Sequence, residues 1–452
     1  MPAAIHASAA LLPDGWADDV RITIADGRVS TVETGTAAMP EDERAGPLVP
    51  GLPNLHSHAF QRAMAGLGEV RGAGDDSFWS WREAMYRIAG QVDPEAMAVI
   101  AAMAYVEMLE CGFTRVGEFH YLHNDQRGER YADPAAMSRA IVAAAAETGM
   151  ALTLLPVFYA HSGFGGLAPQ PGQRRFISSI DSFARLHGEA GAALRELPDG
   201  VLGIAPHSLR AVTPDELAEL IPLGKGAPIH IHIAEQVREV EDCRAWSGQR
   251  PVEWLMDNAP VDSDWCLVHA THMTGNETAS LARSGAVAGL CPVTEANLGD
   301  GLFPARPYIE ADGLWGIGSD SNVLIDAFEE LRWVEYGQRL TTQSRNLFAT
   351  RPGQSTGSAL FDAAGNGGAR ALGVGFGIAA GNAADFVSLD PDHPSLVACP
   401  PGQRLDALVF SAGKAAVEGV WRHGRKVVSQ GRHHHRDAIM ARYASTLKSL
   451  LA

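Results

Sequence analysis

Six short apolar runs, separated by stretches long enough for a helix, each end on a histidine, glutamate or aspartate. That alternation restricts the chain to an α/β architecture with a parallel sheet. The runs are residues 51–55 ending in His56 and His58, 113–117 ending in Glu118, and 201–206 ending in His207. They continue with 228–231 ending in His232, 265–268 ending in His269, and 314–319 ending in Asp320. Each is too short for a helix, and most are rich in Val, Ile and Leu, as suits strands buried on both faces. Two further runs, 151–157 and 286–291, bring the count to eight, the number that closes a (β/α)8 TIM-type barrel. In such a barrel the residues at the carboxyl ends of the strands share one mouth, where catalysis occurs.

A chain of 452 residues exceeds a barrel of about 250. Short strand patterns at 5–11, 20–24 and 29–32 recur in kind at 384–389, 407–410, 416–420 and 426–429. Because barrel termini lie near each other, both ends are expected to build one small β-sandwich domain. The predicted division is residues 1–48 for its first part, 49–380 for the barrel, and 381–452 for its second part plus a terminal helix. His433 to His435 read as a solvated loop within that second part.

The net charge of −17 argues against nucleic acid and anionic membrane surfaces as partners, and an anionic substrate would need local arginines. Five cysteines, widely spaced and without a C-x-x-C, point to reduced thiols in a cytoplasmic protein. The first residues lack the basic-then-apolar layout of a signal peptide. The longest apolar stretches are interrupted by Glu107, Glu110 and Glu147, so no membrane span is expected.

The chemistry starts with His56 and His58. Two residues apart on a strand, they point the same way. His232 and Asp320 complete a nitrogen and oxygen set suited to a catalytic zinc, with iron(II) or manganese also tolerated. Arg82 and Arg210 fall beyond the first and fourth strands, and their planar forks suit carboxylates. Glu118 is expected to contact a ligand imidazole, His230 to be a spare ligand or, preferably, a group supporting the ligands from behind, and Trp79 and Trp81 to pack the loop that carries them. Three competing motifs fail on context. The G-x-S-x-G at 353–357 follows a polar stretch instead of a strand. The glycine pattern at 375–380 has neither strand nor helix beside it. His187-Gly188-Glu189 lacks its P-C-x-x-C partner.

The stretches 53–58 (PNLHSH), 230–235 (HIHIAE), 267–270 (LVHA) and 318–321 (GSDS) resemble the amidohydrolase superfamily in its mononuclear deaminase branch. Segments 56–66, 76–86, 118–121, 206–214 and 291–301 narrow the resemblance to the formimidoylglutamate deiminases, over essentially the whole chain. The resemblance implies one Zn2+ per subunit on His56, His58, His232 and Asp320. It implies proton handling by His269 and Asp320, and work on the leaving nitrogen by Glu235. Gln61, Tyr121 and His207 would join Arg82 and Arg210 in binding a small substrate with two carboxylates, within a homodimer.

The implied reaction is hydrolysis of N-formimino-L-glutamate to N-formyl-L-glutamate and ammonia in histidine degradation. Strand four ends in His207, not in the lysine that bridges two metals in binuclear relatives, which favours one ion. Asn322 stands where some relatives carry histidine, which bears only on the fine tuning of Asp320. Two alternatives remain at this level: a guanine, cytosine or S-adenosylhomocysteine type deaminase, and an inactive barrel scaffold.

Overall fold

The structure, a computed structural model, describes residues 3–71 and 77–452. Asp76, where one of the resembling segments begins, lies outside the described residues.

Eight staves close a barrel. Leu52–Ser57, Phe113–His120, Ala151–Phe158 and an interrupted fourth strand, Val201–Leu202 with Ala205–Pro206, pair in parallel. Ile229–Ile233, Trp265–His269, Val287–Leu290 and Leu314–Ile317 form a second parallel arc. Bridges at Ile204–Ile229 and Ser208–His232 join the arcs on one side, and Ser57–Asp320 joins them on the other. Strands two, three, five and six are buried along their whole length, which is why they read as apolar runs without alternation. The outer helices start on standard signals. Asp93, for example, accepts from the Ala96 N–H ahead of helix Pro94–Glu110, with proline in its first turn.

The two ends of the chain meet in one nine-stranded sheet. Leu48–Pro50 is the hinge of that union, pairing with Ala3–Leu12 on one edge and antiparallel with Phe386–Leu389 on the other. Its separate core includes Ile5, Ile22, Leu48, Phe386 and Trp421. Two expectations are corrected here. Residues 407–410 are helical, within Arg404–Ala407 and Leu408–Ala412. Leu405, Leu408 and Val409 recur at helical spacing and bury one stripe, which a strand period cannot do. His433 is buried, not solvated. Its Nε2 lies 2.9 Å from the Thr148 carbonyl, and its backbone N–H donates to Glu110.

A buried ion cluster ties the sheet to the barrel floor. Asp199, just before strand four, meets Arg115 of strand two at 3.0 Å and Arg422 of the small sheet at 2.8 Å. Burial opposes its charge, but Arg422 and Arg115 together hold its carboxyl below the usual range. With the folded value depressed, this contribution to stability is present above the unfolded carboxylate range and is lost as pH falls through the folded value. Removing Asp199 leaves the buried Arg115 without its carboxylate, while Arg422 keeps Asp385. Asp199→Asn is therefore expected to cost about 3 kcal/mol, read as a lowered melting temperature at neutral pH. A melting curve that superimposes on wild type would refute the tie.

All five cysteines are free thiols, four of them buried. Among the described residues no helix is long and apolar enough to cross a membrane.

Candidate active site

The imidazoles of strands one and five converge at the barrel mouth. His56 Nε2 lies 3.2 Å from His58 Nε2 and 3.0 Å from His232 Nε2. Two of the rings are oriented from behind. His58 Nδ1 donates to the Phe119 carbonyl at 2.8 Å, and His232 Nδ1 to the His207 carbonyl at 3.1 Å. Those bonds fix the tautomers so that the Nε2 lone pairs face one another. Burial drives all three rings towards the neutral form, His56 down to about 3. Three neutral imidazoles with lone pairs on one point are a ligand set for a divalent ion.

Asp320 joins them from strand eight, its Oδ1 3.3 Å from His58 Nε2 and 3.6 Å from His56 Nε2. Gly318 permits that approach, because a Cβ there would fall 2.7 Å from the His56 carbonyl oxygen. Burial opposes the Asp320 charge, yet His56, His58 and His269 hold the carboxyl well below its usual range. The other oxygen, Oδ2, lies 3.8 Å from His269 Nε2, which is also 3.9 Å from Glu235 Oε1. Burial works against a charged His269, but Glu235, Glu295 and Asp320 raise it to about 10. Glu235 moves the other way from a usual carboxyl, up to about 7, because burial outweighs His269 and Arg210. Ala234, His269 and Asp320 all hold left-handed backbone, with φ of 50°, 69° and 45°. Such strain in non-glycine residues collects at sites where side chains must be aimed.

One pocket contains Gln61, Arg82, Tyr121, His207 and Arg210 together with His58, His232, Glu235, His269 and Asp320. Three of its polar atoms are buried and have no hydrogen-bond partner among the described residues: Gln61 Oε1, Arg82 Nε and Arg210 Nε. The Gln61 amide nitrogen donates to Tyr121 Oη at 2.8 Å, which turns its oxygen free. Buried polar groups are normally satisfied, so unpaired ones lining a single cavity mark where a ligand belongs.

Several expectations need correction. Arg82 sits on a helix, Phe78–Ala89, instead of a loop. Trp81 lines the pocket, while Trp79 underlies guanidiniums. Glu118 accepts from the Ala59 N–H at 2.6 Å and from Tyr105 Oη at 3.2 Å, so it fixes the backbone after His58 and, among the described residues, hydrogen-bonds to no imidazole. His230 points to the barrel floor, with Nε2 2.8 Å from the Ala371 carbonyl. Asn322 knits the mouth, its amide donating to Ser57 Oγ and to the carbonyls of His58 and Asp320, each at 3.1 Å.

Sequence reasoning missed other groups. Glu295 lies 3.2 Å from His269 Nδ1 and accepts from the Cys291 N–H at 2.9 Å, orienting the ring. Glu239 accepts from the N–H groups of Ala234 and Glu235, bracing the strained turn. Tyr159 lines the pocket, held by Gln173 at 2.7 Å. Glu295 lies inside the 291–301 segment that carried the resemblance; Tyr159 had no signal beyond its place after strand three.

Residues 48–427 match the Amidohydrolase family, and residues 2–46 match "Formimidoylglutamate deiminase HutF, N-terminal domain". The formimidoylglutamate deiminase of Pseudomonas aeruginosa is 49% identical over 451 residues, 99% of each chain. The chain belongs to the formimidoylglutamate deiminase family. Within the wider amidohydrolases, a 5-methylthioadenosine/S-adenosylhomocysteine deaminase of Shouchella clausii is 26% identical over 89% of this chain and 88% of that one. Among solved structures, an amidohydrolase from Brucella melitensis superimposes with a TM-score of 0.96 at 55% identity over the full length of both chains. An adenosine deaminase from Xanthomonas campestris with bound zinc reaches a TM-score of 0.82 at 23% identity, over 99% of this chain and 98% of that one, and speaks to the fold alone. The deiminase family is thus matched at both ends of the chain, in the small sheet as well as in the barrel.

Proposed function

We propose that the chain hydrolyses N-formimino-L-glutamate to N-formyl-L-glutamate and ammonia, a step of histidine degradation, with the roles of its residues as follows. His56, His58, His232 and Asp320 hold a single divalent ion, for which nitrogen-rich ligation favours zinc over iron(II) or manganese. When bound, such an ion supplies an activated water at neutral pH by lowering its pKa from 15.7 towards about 7. Asp320 accepts the proton of the attacking water, and His269, 3.8 Å away and steadied by Glu295, holds the charge that develops beside it. Glu235, with a carboxyl raised to about 7, suits delivery of a proton to the departing nitrogen. Before that step its carboxylate pairs with the cationic amidine, and the proton it then delivers is the one Asp320 takes from the water, relayed across His269 Nε2, which lies 3.8 Å from Asp320 Oδ2 and 3.9 Å from Glu235 Oε1.

Arg82 and Arg210 take the two carboxylates, with Gln61, Tyr121 and His207 as hydrogen-bonding partners. The observation that carries this reading is the pair of buried, unpartnered Arg82 and Arg210 Nε atoms in the same pocket as the imidazole and carboxylate cluster. Neutral heterocycles do not call for two carboxylate forks. The working division is residues 1–48, 49–380 and 381–452, and the working assembly a cytoplasmic homodimer with one ion in each subunit.

Ammonia release tests the reading directly. N-formimino-L-glutamate is expected to be turned over well above N-formimino-L-aspartate, with guanine and cytosine inert. Turnover of a heterocycle in preference to the formimino compounds would move the chain to another deaminase activity.

A further inference from the structure

Three guanidiniums share one indole at the rim of the pocket. The Trp79 ring centre lies 4.6 Å from the guanidinium carbon of Arg82, 4.9 Å from that of Arg238 and 5.8 Å from that of Arg210. They arrive from three elements. Arg82 is one turn along Trp79's own helix, Phe78–Ala89. Arg210 follows strand four, and Arg238 opens the helix Val237–Ser247 beyond strand five.

Like charges gathered on one ring repel, and the negative face of an indole offsets only part of that repulsion. Arg238 has a carboxylate neighbour in Asp242, but at 3.7 Å and with the two side chains 65% and 54% exposed, the pair is loose and solvent-screened. Glu239 and Glu235 act on Arg210, yet three guanidiniums on one ring in a chain of net charge −17 is still a local concentration of positive charge, placed where an anion would enter. The set is also graded. Arg82 and Arg210 turn buried Nε atoms inward, whereas Arg238 stands in solvent.

We propose that Arg238 is a third guanidinium of substrate recognition, seated on Trp79, which draws a dianion to the rim and sets the preference for two carboxylates over one. Trp79 is a positioning residue that keeps the three forks on one surface. The inference rests on the reading of Arg82 and Arg210 as carboxylate clamps.

The test uses metal-loaded enzyme with Arg238→Met and Arg238→Lys, assayed on N-formimino-L-glutamate and on N-formiminoglycine, which has one carboxylate, at low and high salt. Arg238→Met is expected to lower kcat/KM for the dicarboxylate roughly three- to tenfold at low salt, through KM, with kcat held. The loss should shrink at high salt, be smaller for N-formiminoglycine, and be largely repaired in Arg238→Lys. Trp79→Leu should raise KM in the same direction, and Trp79→Phe, which keeps a π face, should restore it. An unchanged KM in Arg238→Met, or an equal loss on both substrates, overturns the proposal. If instead Arg82→Met and Arg210→Met leave KM untouched while Arg238→Met raises it, the clamp reading fails and takes with it the place of Arg238 as a third fork, whereas loss in Arg82→Met and Arg210→Met with an unchanged Arg238→Met overturns the Arg238 proposal alone.

Discussion

Asp320→Asn abolishes turnover, with ammonia release from N-formimino-L-glutamate falling by about a thousandfold or more. The carboxylate faces two ways at once. One oxygen lies 3.3 Å and 3.6 Å from the Nε2 atoms of His58 and His56, and the other 3.8 Å from His269. An amide keeps the shape but would lose both the charge and the base that the proposed mechanism assigns to this side chain. The fold around it should survive, because the turn is held by backbone and by Asn322, whose amide bonds the carbonyl of residue 320, not its side chain. The check is steady-state ammonia release beside a melting curve. A folded variant that retains substantial turnover would remove Asp320 from the chemistry.

Arg82→Met and Arg210→Met are each expected to lower kcat/KM roughly ten- to hundredfold, mainly by raising KM, since a charge-assisted hydrogen bond to carboxylate contributes about 1.5–3 kcal/mol. Methionine retains most of the apolar stem, so packing beside Trp79 is largely kept. The loss is then assignable to the missing fork. Formamidine, which has the reacting carbon and no carboxylate, should be turned over equally poorly by wild type and both variants. Wild-type efficiency of both variants on N-formimino-L-glutamate would contradict this account of recognition.

The barrel was legible because burial on both faces leaves most strand positions apolar until the mouth, with buried exceptions such as Asn54, Arg115, Thr153 and His230. The polar residue that ends each run is therefore also a candidate for the site, as with His56, His232, His269 and Asp320. The same logic failed for His230, which shares the parity of His232 but lies nearer the floor, where its Nε2 meets the Ala371 carbonyl. Periodicity along a strand gives the face and not the depth. Glu118 failed differently, since strand two runs on to His120 and the carboxylate turns sideways to the Ala59 N–H. Groups set just beyond the strand ends were the least readable. Glu295 and Glu239 sit on the helices Pro292–Leu298 and Val237–Ser247, and Tyr159 follows strand three; a single sequence carries no periodic signal for where those segments fold back over the mouth. The short apolar run at 407–410 shows the remaining weakness, because four residues fit a strand and one helical turn equally well.

The central claim is that imidazoles from the first and fifth strands, with the carboxylate of the last, grip one divalent ion on which hydrolysis depends. Metal analysis of the purified protein coupled to ammonia release tests it most directly. A single equivalent of ion per chain is expected, lost together with activity on exhaustive chelation, regained with zinc, and absent from a folded His56→Ala/His232→Ala variant. Full activity after the ion has been removed, or an undiminished metal content in that variant, would contradict the account.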